Sequence, residues 1–246
     1  MFHQIRKKFT MNQPLVFHPI AHIQTPYKEK FAIPRQPRLA DAAEGEIHFC
    51  ADYADPNSLR GIEGFSHLWL LFHFHQTAEQ GWSALVRPPR LGGNSKQGVY
   101  ATRSTFRPNP IGMSLVSFGG IEQRGNQTIL KVGGVDLVDG TPILDIKPYL
   151  PWAESLPGAE GGFASEEPEL MQVEFSAASQ AQLQALNNPP AQLELLITQV
   201  LSQDPRPAYQ KGKQSERVFG VRLYDYNVRW QVHGQINLVV AIEKVS

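Results

Sequence analysis

Of 246 residues only Cys50 carries a thiol, so no intrachain disulfide can form. That fits a reducing compartment. Long apolar runs are missing too. A membrane-spanning helix needs about 18 consecutive apolar residues, and the longest run here, Leu68 to Phe74, is interrupted by His73. The opening stretch MFHQIRKKFTMNQ has charge but no apolar segment behind it, so it does not read as a secretory signal, and Met11 offers an alternative start. A soluble, cytoplasmic protein is expected. No Walker loop is present and no G-x-G-x-x-G follows a strand-like segment, which leaves neither an NTPase nor a Rossmann methyltransferase supported. G-x-S-x-G is absent as well, so there is no nucleophile elbow. Cys50, inside an alternating segment, reads as a small buried hydrophobe.

Net charge is also lacking: 23 Lys and Arg balance 23 Asp and Glu. Taken alone, that argues against a nucleic-acid binder. The distribution argues the other way. No acid occurs between Gln80 and Ile121, where Arg87, Arg90, Lys96, Arg103 and Arg107 fall. The first 38 residues add Arg6, Lys7, Lys8, Lys28, Lys30, Arg35 and Arg38 against Glu29 alone. Acids gather later, at Asp136, Asp139, Asp145 and from Glu154 to Glu174. Segregation of this kind lets a neutral protein carry a positive face.

What is present is mainly β. Residues 14–156 hold short, regularly spaced strand signals, which indicate a barrel or a sandwich. Leu15-Val16-Phe17 and Ile20–Ile23 lead to the turn signal Thr25-Pro26. Glu46–Tyr53 alternates, with Ile47, Phe49 and Ala51 on one face. His67–Gln76 is apolar on both faces and predicts a central strand. Gly98–Arg103 and Met113–Phe118 are further candidates. Arg124-Gly125-Asn126-Gln127 predicts a hairpin turn before Thr128–Val132. Val135–Val138, Asp139-Gly140 and Ile143–Ile146 predict a second hairpin. Residues 157–169, rich in Gly, Pro and Glu, read as a linker. Residues 170–246 read as a small α+β domain. Its first helix is capped by Ser176 or Ser179 and runs to about Leu186. The second, Ala191–Ser202, spaces Leu193, Leu196, Ile197 and Val200 for one helical face. Strands follow at Val218–Tyr224, Val228–Val232 and Ile236–Ile242.

Chemistry concentrates in Val86–Pro110, VRPPRLGGNSKQGVYATRSTFRPNP. Gly and Pro stiffen this loop while Arg87, Arg90, Lys96, Arg103 and Arg107 supply fixed cations, the combination that recognises phosphate or carboxylate. Tyr100 and Phe106 could stack on bases. A proline-stiffened surface loop with no ligand is the plainer alternative. His67, His73 and His75 share parity and invite a metal, with Asp52 an imaginable partner, but no ligand spacing selects it and no metal is expected. His75-Gln76 ends a strand, where polar side chains can meet a ligand. Asp136 and Asp139 flank a short strand, and Asp139-Gly140 is also an ordinary turn. In the second domain Arg206, Tyr209 and Lys211 lie in DPRPAYQKG, a loop suited to RNA or to plain interdomain packing.

Five segments now carry a resemblance: PYKEKFAIPRQPRL (26–39), GIEGFSHLWLLFHFHQT (61–77), VRPPRLGGNSKQGVYATRSTFRPNPIGMSLV (86–116), VDLVDGTPILDIKPYLPWAES (135–155) and QVLSQDPRPAYQKG (199–212). Together they resemble the TrmO family over nearly the whole chain. The resemblance implies a single-sheet β-barrel that binds S-adenosyl-L-methionine, works as a homodimer, and methylates N6 of N6-threonylcarbamoyladenosine beside the tRNA anticodon. It implies cofactor contacts at Gln36, Pro37, Arg38, His75, Gln76, Arg103, Leu115, Val135, Asp136, Leu137 and Val138. The tRNA contacts are expected from Arg87, Arg90, Lys96, Arg107, Arg206, Tyr209 and Lys211, with the small domain assisting. Asp136 and His75 both remain open as a general base. Arg38 departs from the family pattern, which places a small residue there. An RNA-binding module without catalysis and a metal-dependent hydrolase are the rival readings.

Overall fold

The computed structural model describes residues 14–92, 95–206, 210 and 215–245. In chain order its first eight strands are β1 (Ala21–Gln24), β2 (Glu44–Phe49), β3 (His67–His73), β4 (Leu85–Val86), β5 (Gln97–Gly98), β6 (Ile111–Arg124), β7 (Gln127–Gly133) and β8 (Thr141–Pro148). A one-turn helix α1 (Pro151–Glu154) follows. Then come β9 (Gln172–Phe175), α2 (Ala177–Gln184), α3 (Leu193–Ser202), β10 (Ser215–Leu223), β11 (Tyr226–His233) and β12 (Ile236–Lys244). The architecture is mainly β.

Six strands hydrogen-bond in a closed ring, β1-β2-β7-β6-β3-β8, every neighbour antiparallel. Closure leaves none of the six at an edge. β3 shows how the sequence builds the ring. Leu68, Leu70 and Phe72 turn inward and are buried, while His67, Trp69, Leu71 and His73 face outward and are half-buried. The segment that is apolar on both faces is indeed central, paired with β6 on one side and β8 on the other. Ile23, Ile47, Leu130 and Ile143 complete an interior with no solvent access. Each such side chain contributes about 1.5–3 kcal/mol on burial. β6 and β7 meet in the expected tight hairpin, with Arg124 opposite Gln127 and Gly125 at φ 63.

The C-terminal unit is a four-stranded sheet, β10-β11-β12-β9, with β9 parallel to β12. Ser176 caps α2: its Oγ accepts the Ser179 amide at 3.2 Å. The face of α3 buries Leu193, Leu196, Ile197, Val200 and Leu201, as the helical spacing predicts. One continuous core joins the ring interior to this sheet and its helices. Between the units, residues 157–169 are exposed throughout and contain no strand.

The structure corrects the strand expectations at several points. β2 stops at Phe49, because its partner β1 begins opposite it at Ala21, and Ala51–Tyr53 forms a 3-10 turn. Gly98–Arg103 is not a strand. β5 ends at Gly98, Val99–Ala101 is a 3-10 turn, and the partner β4 is cut short by Pro88-Pro89, which cannot donate to a ladder. Val135–Val138 is not a strand either. Gly134, at φ 69, swings the chain out of β7, and the segment bonds to loop groups instead. The Val135 amide donates to the Ala43 carbonyl at 3.3 Å, and the Leu137 carbonyl accepts Thr25 Oγ at 2.9 Å. β9 had no clear sequence signal; four residues finish the sheet edge beside β12.

Candidate functional site

A cavity of about 260 Å³ lies where β3 ends and β8 begins. The chain leaves β3 through a tight turn in which the Thr77 amide donates to the Phe74 carbonyl at 3.1 Å. This sets Phe74, His75 and Gln76 on the cavity wall beside Phe72. The two phenyl rings meet edge-on at 5.1 Å and pack over Gly112, where a Cβ would collide with both. The facing wall is the irregular segment Asp136-Leu137-Val138, with Thr141 beyond it. Lys30, Ile33, His73, Thr77 and Thr105 complete the lining.

Asp136 is the chemical centre of this wall. Its Oδ1 accepts a 2.6 Å hydrogen bond from Ser114 Oγ, on the inner face of β6 and fully buried. Burial pushes the carboxyl pKa up to about 6; the Ser114 hydrogen bond and the charge of Arg103 pull it back only in part. At neutral pH the group is therefore mostly ionised and yet a competent proton acceptor. Burial also lowers His75; a hydrogen bond with the His73 backbone opposes this, and the charges of His73, Lys30 and His22 act with burial. Its imidazole is neutral at pH 7, so it too can accept a proton. Asp139 plays a different part. Its carboxylate pairs with Lys28 Nζ at 2.8 Å and accepts the Thr25 amide at 2.8 Å, which fixes the turn before β8.

Beside the cavity, Arg103 Nη1 donates to Gln36 Oε1 at 2.7 Å. Half-buried Pro37 follows, and then Arg38, whose amide donates to the Gly134 carbonyl at 3.0 Å. Arg38 adopts φ 65, in the left-handed region that disfavours a side chain bearing Cβ. Gly134 lies against Arg38 and carries the chain straight into the cavity wall.

The eleven expected cofactor positions thus divide. His75, Gln76, Asp136, Leu137 and Val138 line one cavity, while Gln36, Pro37, Arg38 and Arg103 form an adjoining cluster. Val135, 1% exposed, sits behind the wall. Leu115 is not brought to the cavity: it lies on the outer face of β6, opposite Trp69 and on the other side of the strand from Ser114. Lys30, Ile33, Thr105 and Thr141 escaped sequence reasoning. Ser114 had a signal: it is a lone hydroxyl at an inward position between Gly112 and Val116.

Of the expected RNA contacts, Arg87, Arg90 and Lys96 are exposed, as is Tyr100. Trp82, 59% exposed, joins them as an aromatic that sequence reasoning passed over. Arg107 instead staples its own loop, its Nη1 donating to the Thr102 and Ser104 carbonyls at 3.1 Å each. Arg206 corrects the expectation most sharply. It is 3% exposed and forks onto Asp204, with Nε to Oδ1 at 2.7 Å and Nη2 to Oδ2 at 3.0 Å. Tyr209 and Lys211 lie outside the described residues. Among the described residues, no group of three or more His, Cys, Asp or Glu could hold a metal ion, and no helix is long and apolar enough to cross a membrane.

Among the described residues, a closed antiparallel ring carries a cavity at its strand ends, and no doubly wound sheet is present. Comparison with known proteins narrows the class. Residues 22–155 match the tRNA-methyltransferase O N-terminal domain, and residues 168–245 match the TrmO C-terminal domain. The chain belongs to the TrmO family. It is 56% identical over 217 residues to the Escherichia coli protein named tRNA (adenine(37)-N6)-methyltransferase, covering 88% of this chain and 92% of that one. It is 48% identical over 216 residues to a Pseudomonas aeruginosa protein named as an S-adenosylmethionine-dependent methyltransferase, covering 86% and 90%. The crystal structure of TrmO from Pseudomonas aeruginosa superposes with a TM-score of 0.75 at 38% identity, covering 94% of this chain and 99% of that one.

Proposed function

We propose that this chain transfers a methyl group from S-adenosyl-L-methionine to N6 of adenosine 37 of tRNA, and that the adenosine it accepts carries the threonylcarbamoyl group. The observation that carries this reading is the cavity wall itself. Asp136-Leu137-Val138 and His75-Gln76, from two of the segments that most resemble the family, line one space of about 260 Å³. The name of the relative at 56% identity supports methyl transfer to N6 of adenine 37 of tRNA, and that of the relative at 48% identity supports the cofactor. In this reading the ring of six strands is the single-sheet barrel of the family, and residues 14–156 form the methyltransferase domain. With tRNA as substrate, the place of action is the cytoplasm.

The donor set suits the cofactor. Ile33, Leu137 and Val138 offer an apolar wall to a flat purine, while Gln76 and Asp136 offer polar groups to a ribose or an α-amino group. Arg103, exposed beside Gln36, can meet a carboxylate, either that of the cofactor or that of the threonylcarbamoyl group. When bound, the cofactor supplies a methyl group on a cationic sulfonium, so alignment by the protein carries much of the rate. The target nitrogen lies between a purine and a carbonyl, and its lone pair is delocalised. Removal of its proton therefore assists transfer, and Asp136 and His75 both stand in proton-accepting form, on facing walls of the cavity. The adenosine must leave the anticodon stack to reach them, at a cost of a few kcal/mol. Arg87, Arg90 and Lys96, with Trp82 and Tyr100, present the exposed cationic and aromatic surface that an anticodon stem-loop requires. In the family's homodimer, the outward position of Leu115 would offer it to the neighbouring copy.

The test is calorimetry with S-adenosyl-L-methionine, followed by digestion and mapping of tRNA methylated in vitro. Binding is expected, with the new methyl group on N6 of the adenosine next to the anticodon. Methylation at another position, or cofactor binding without any transfer, would contradict the proposal.

A further inference from the structure

The connection from β1 to β2 crosses residues 25–43 without a helix or strand of its own. An irregular segment of that length does not hold a shape by itself. Here it must, because one side of it builds the site. Lys30 and Ile33 line the cavity, Gln36 holds Arg103, and Arg38 bonds the residue that leads into the Asp136 wall.

Its other side is fastened to the C-terminal unit near both ends, at residues 26–31 and 39–42. The Tyr224 amide donates to the Pro26 carbonyl at 2.8 Å, and Tyr27 bridges to Leu223 on β10. Phe31 stacks on Trp230 of β11 with ring centroids 6.3 Å apart. Further along, Gln203 Nε2 donates to the Leu39 carbonyl at 3.1 Å, and Gln199 Oε1 accepts the Ala42 amide at 2.9 Å. Tyr27, Ala40 and Ala42 are no more than 2% exposed, so water cannot replace these partners. The buried Asp204–Arg206 fork stiffens the turn directly after α3. From these contacts we infer that the C-terminal unit is the scaffold of the cofactor wall. It holds residues 26–43 in their site-forming shape, with Gln199 and Gln203 of the α3 end as positioning residues that touch neither cofactor nor tRNA. This extends the cofactor reading given above and rests on it.

The experiment uses the full chain and compares it with Gln199→Met and the Gln199→Met, Gln203→Met double variant. Methionine keeps the length of the side chain and removes the hydrogen bond. Gln199→Glu keeps the acceptor for the Ala42 amide and serves as the conservative rescue. Expected are faster amide exchange across residues 35–43 and roughly tenfold weaker S-adenosyl-L-methionine binding in the methionine variants. KM for the cofactor should rise in step, with kcat at saturation held within about twofold, and Gln199→Glu should behave as the unaltered chain. If the double variant does not fold, the single variant carries the same comparison. Unchanged exchange would overturn the scaffold role. Faster exchange with unchanged cofactor affinity would show that the segment is pinned without serving the site, which also overturns it. Absence of cofactor binding by the unaltered chain would instead strike the cofactor reading, while the exchange comparison still judges the pinning.

Discussion

Two aspartates, one in each unit, are drawn into the fold, Asp204 buried and Asp136 half-buried on a cavity wall, and the fold treats them in opposite ways. Asp204 is 8% exposed and chelated by both nitrogens of the Arg206 fork. Asp136 receives the Ser114 hydroxyl and a backbone hydrogen bond, with Arg103 acting on it more weakly through charge. The first acid is bound into a structural joint at the end of α3. The second keeps an appetite for a proton, its pKa pushed up to about 6 by burial. A buried carboxylate becomes chemically useful when the fold withholds a cation, and structurally useful when it supplies one.

That comparison can be broken at either acid. The largest effect is expected from Arg206→Met, which removes the cation chelating Asp204 and should cost about 3–5 kcal/mol of stability. Denaturant titration checks it, and adding Asp204→Asn should recover most of the loss. A cost below about 1 kcal/mol would make the joint an ordinary surface pair.

Next comes Asp136→Asn, which should slow methyl transfer by about 100-fold or more. Stability should move in the opposite sense. The folded pKa lies above the ordinary 3.8, so ionisation is disfavoured in the fold. The resulting destabilisation is present above about pH 6 and disappears below about pH 4. The variant should accordingly be more stable than the unaltered chain at pH 8, by up to about 2–3 kcal/mol, and no more stable at pH 4. The methyl-transfer rate of the unaltered chain should rise through an inflection near pH 6, and the inflection should persist in His75→Gln if Asp136 is the acceptor. A profile that becomes flat in His75→Gln would hand that role to the imidazole.

Smaller effects should come from the exposed cations. Arg103→Ala should cut activity by more than about tenfold with thermal unfolding unchanged, because its guanidinium lies on the surface, hydrogen-bonded to Gln36. Wild-type turnover by that variant would remove Arg103 from the site. Arg87→Ala and Arg90→Ala should each weaken tRNA binding a few-fold and reduce the salt dependence of affinity by about one unit. An unchanged salt slope would move the RNA surface elsewhere.

How much of this could be read from the chain depends on how local the signal is. The alternation in β3, the apolar face of α3 and the Gly125-Asn126 turn are local patterns, and each folds as it reads. Val135–Val138 has the same strand-like composition and forms no ladder, because its amides and carbonyls find Ala43 and Thr25 instead of a paired strand. Those partners lie about a hundred positions away, and no local pattern announces them. The site divides in the same way. His75 and Asp136 are polar residues at the ends of apolar runs and stand out in the sequence. Lys30 and Ile33 do not, since they reach the cavity through an irregular segment that long-range contacts hold in place, Lys30 Nζ to the Gln76 carbonyl at 2.8 Å and Phe31 on Trp230 among them. Arg206 misled for a simple reason. A cation in a proline-rich loop suits RNA, but its acid partner sits only two positions earlier.

Methylation of purified tRNA with labelled S-adenosyl-L-methionine tests the central claim most directly. Two tRNA pools are compared, one with and one without the threonylcarbamoyl modification at adenosine 37. Label is expected in the modified pool alone. Equal label in both pools would contradict the assigned substrate, and no label in either would contradict the reaction and favour an RNA-binding role without catalysis.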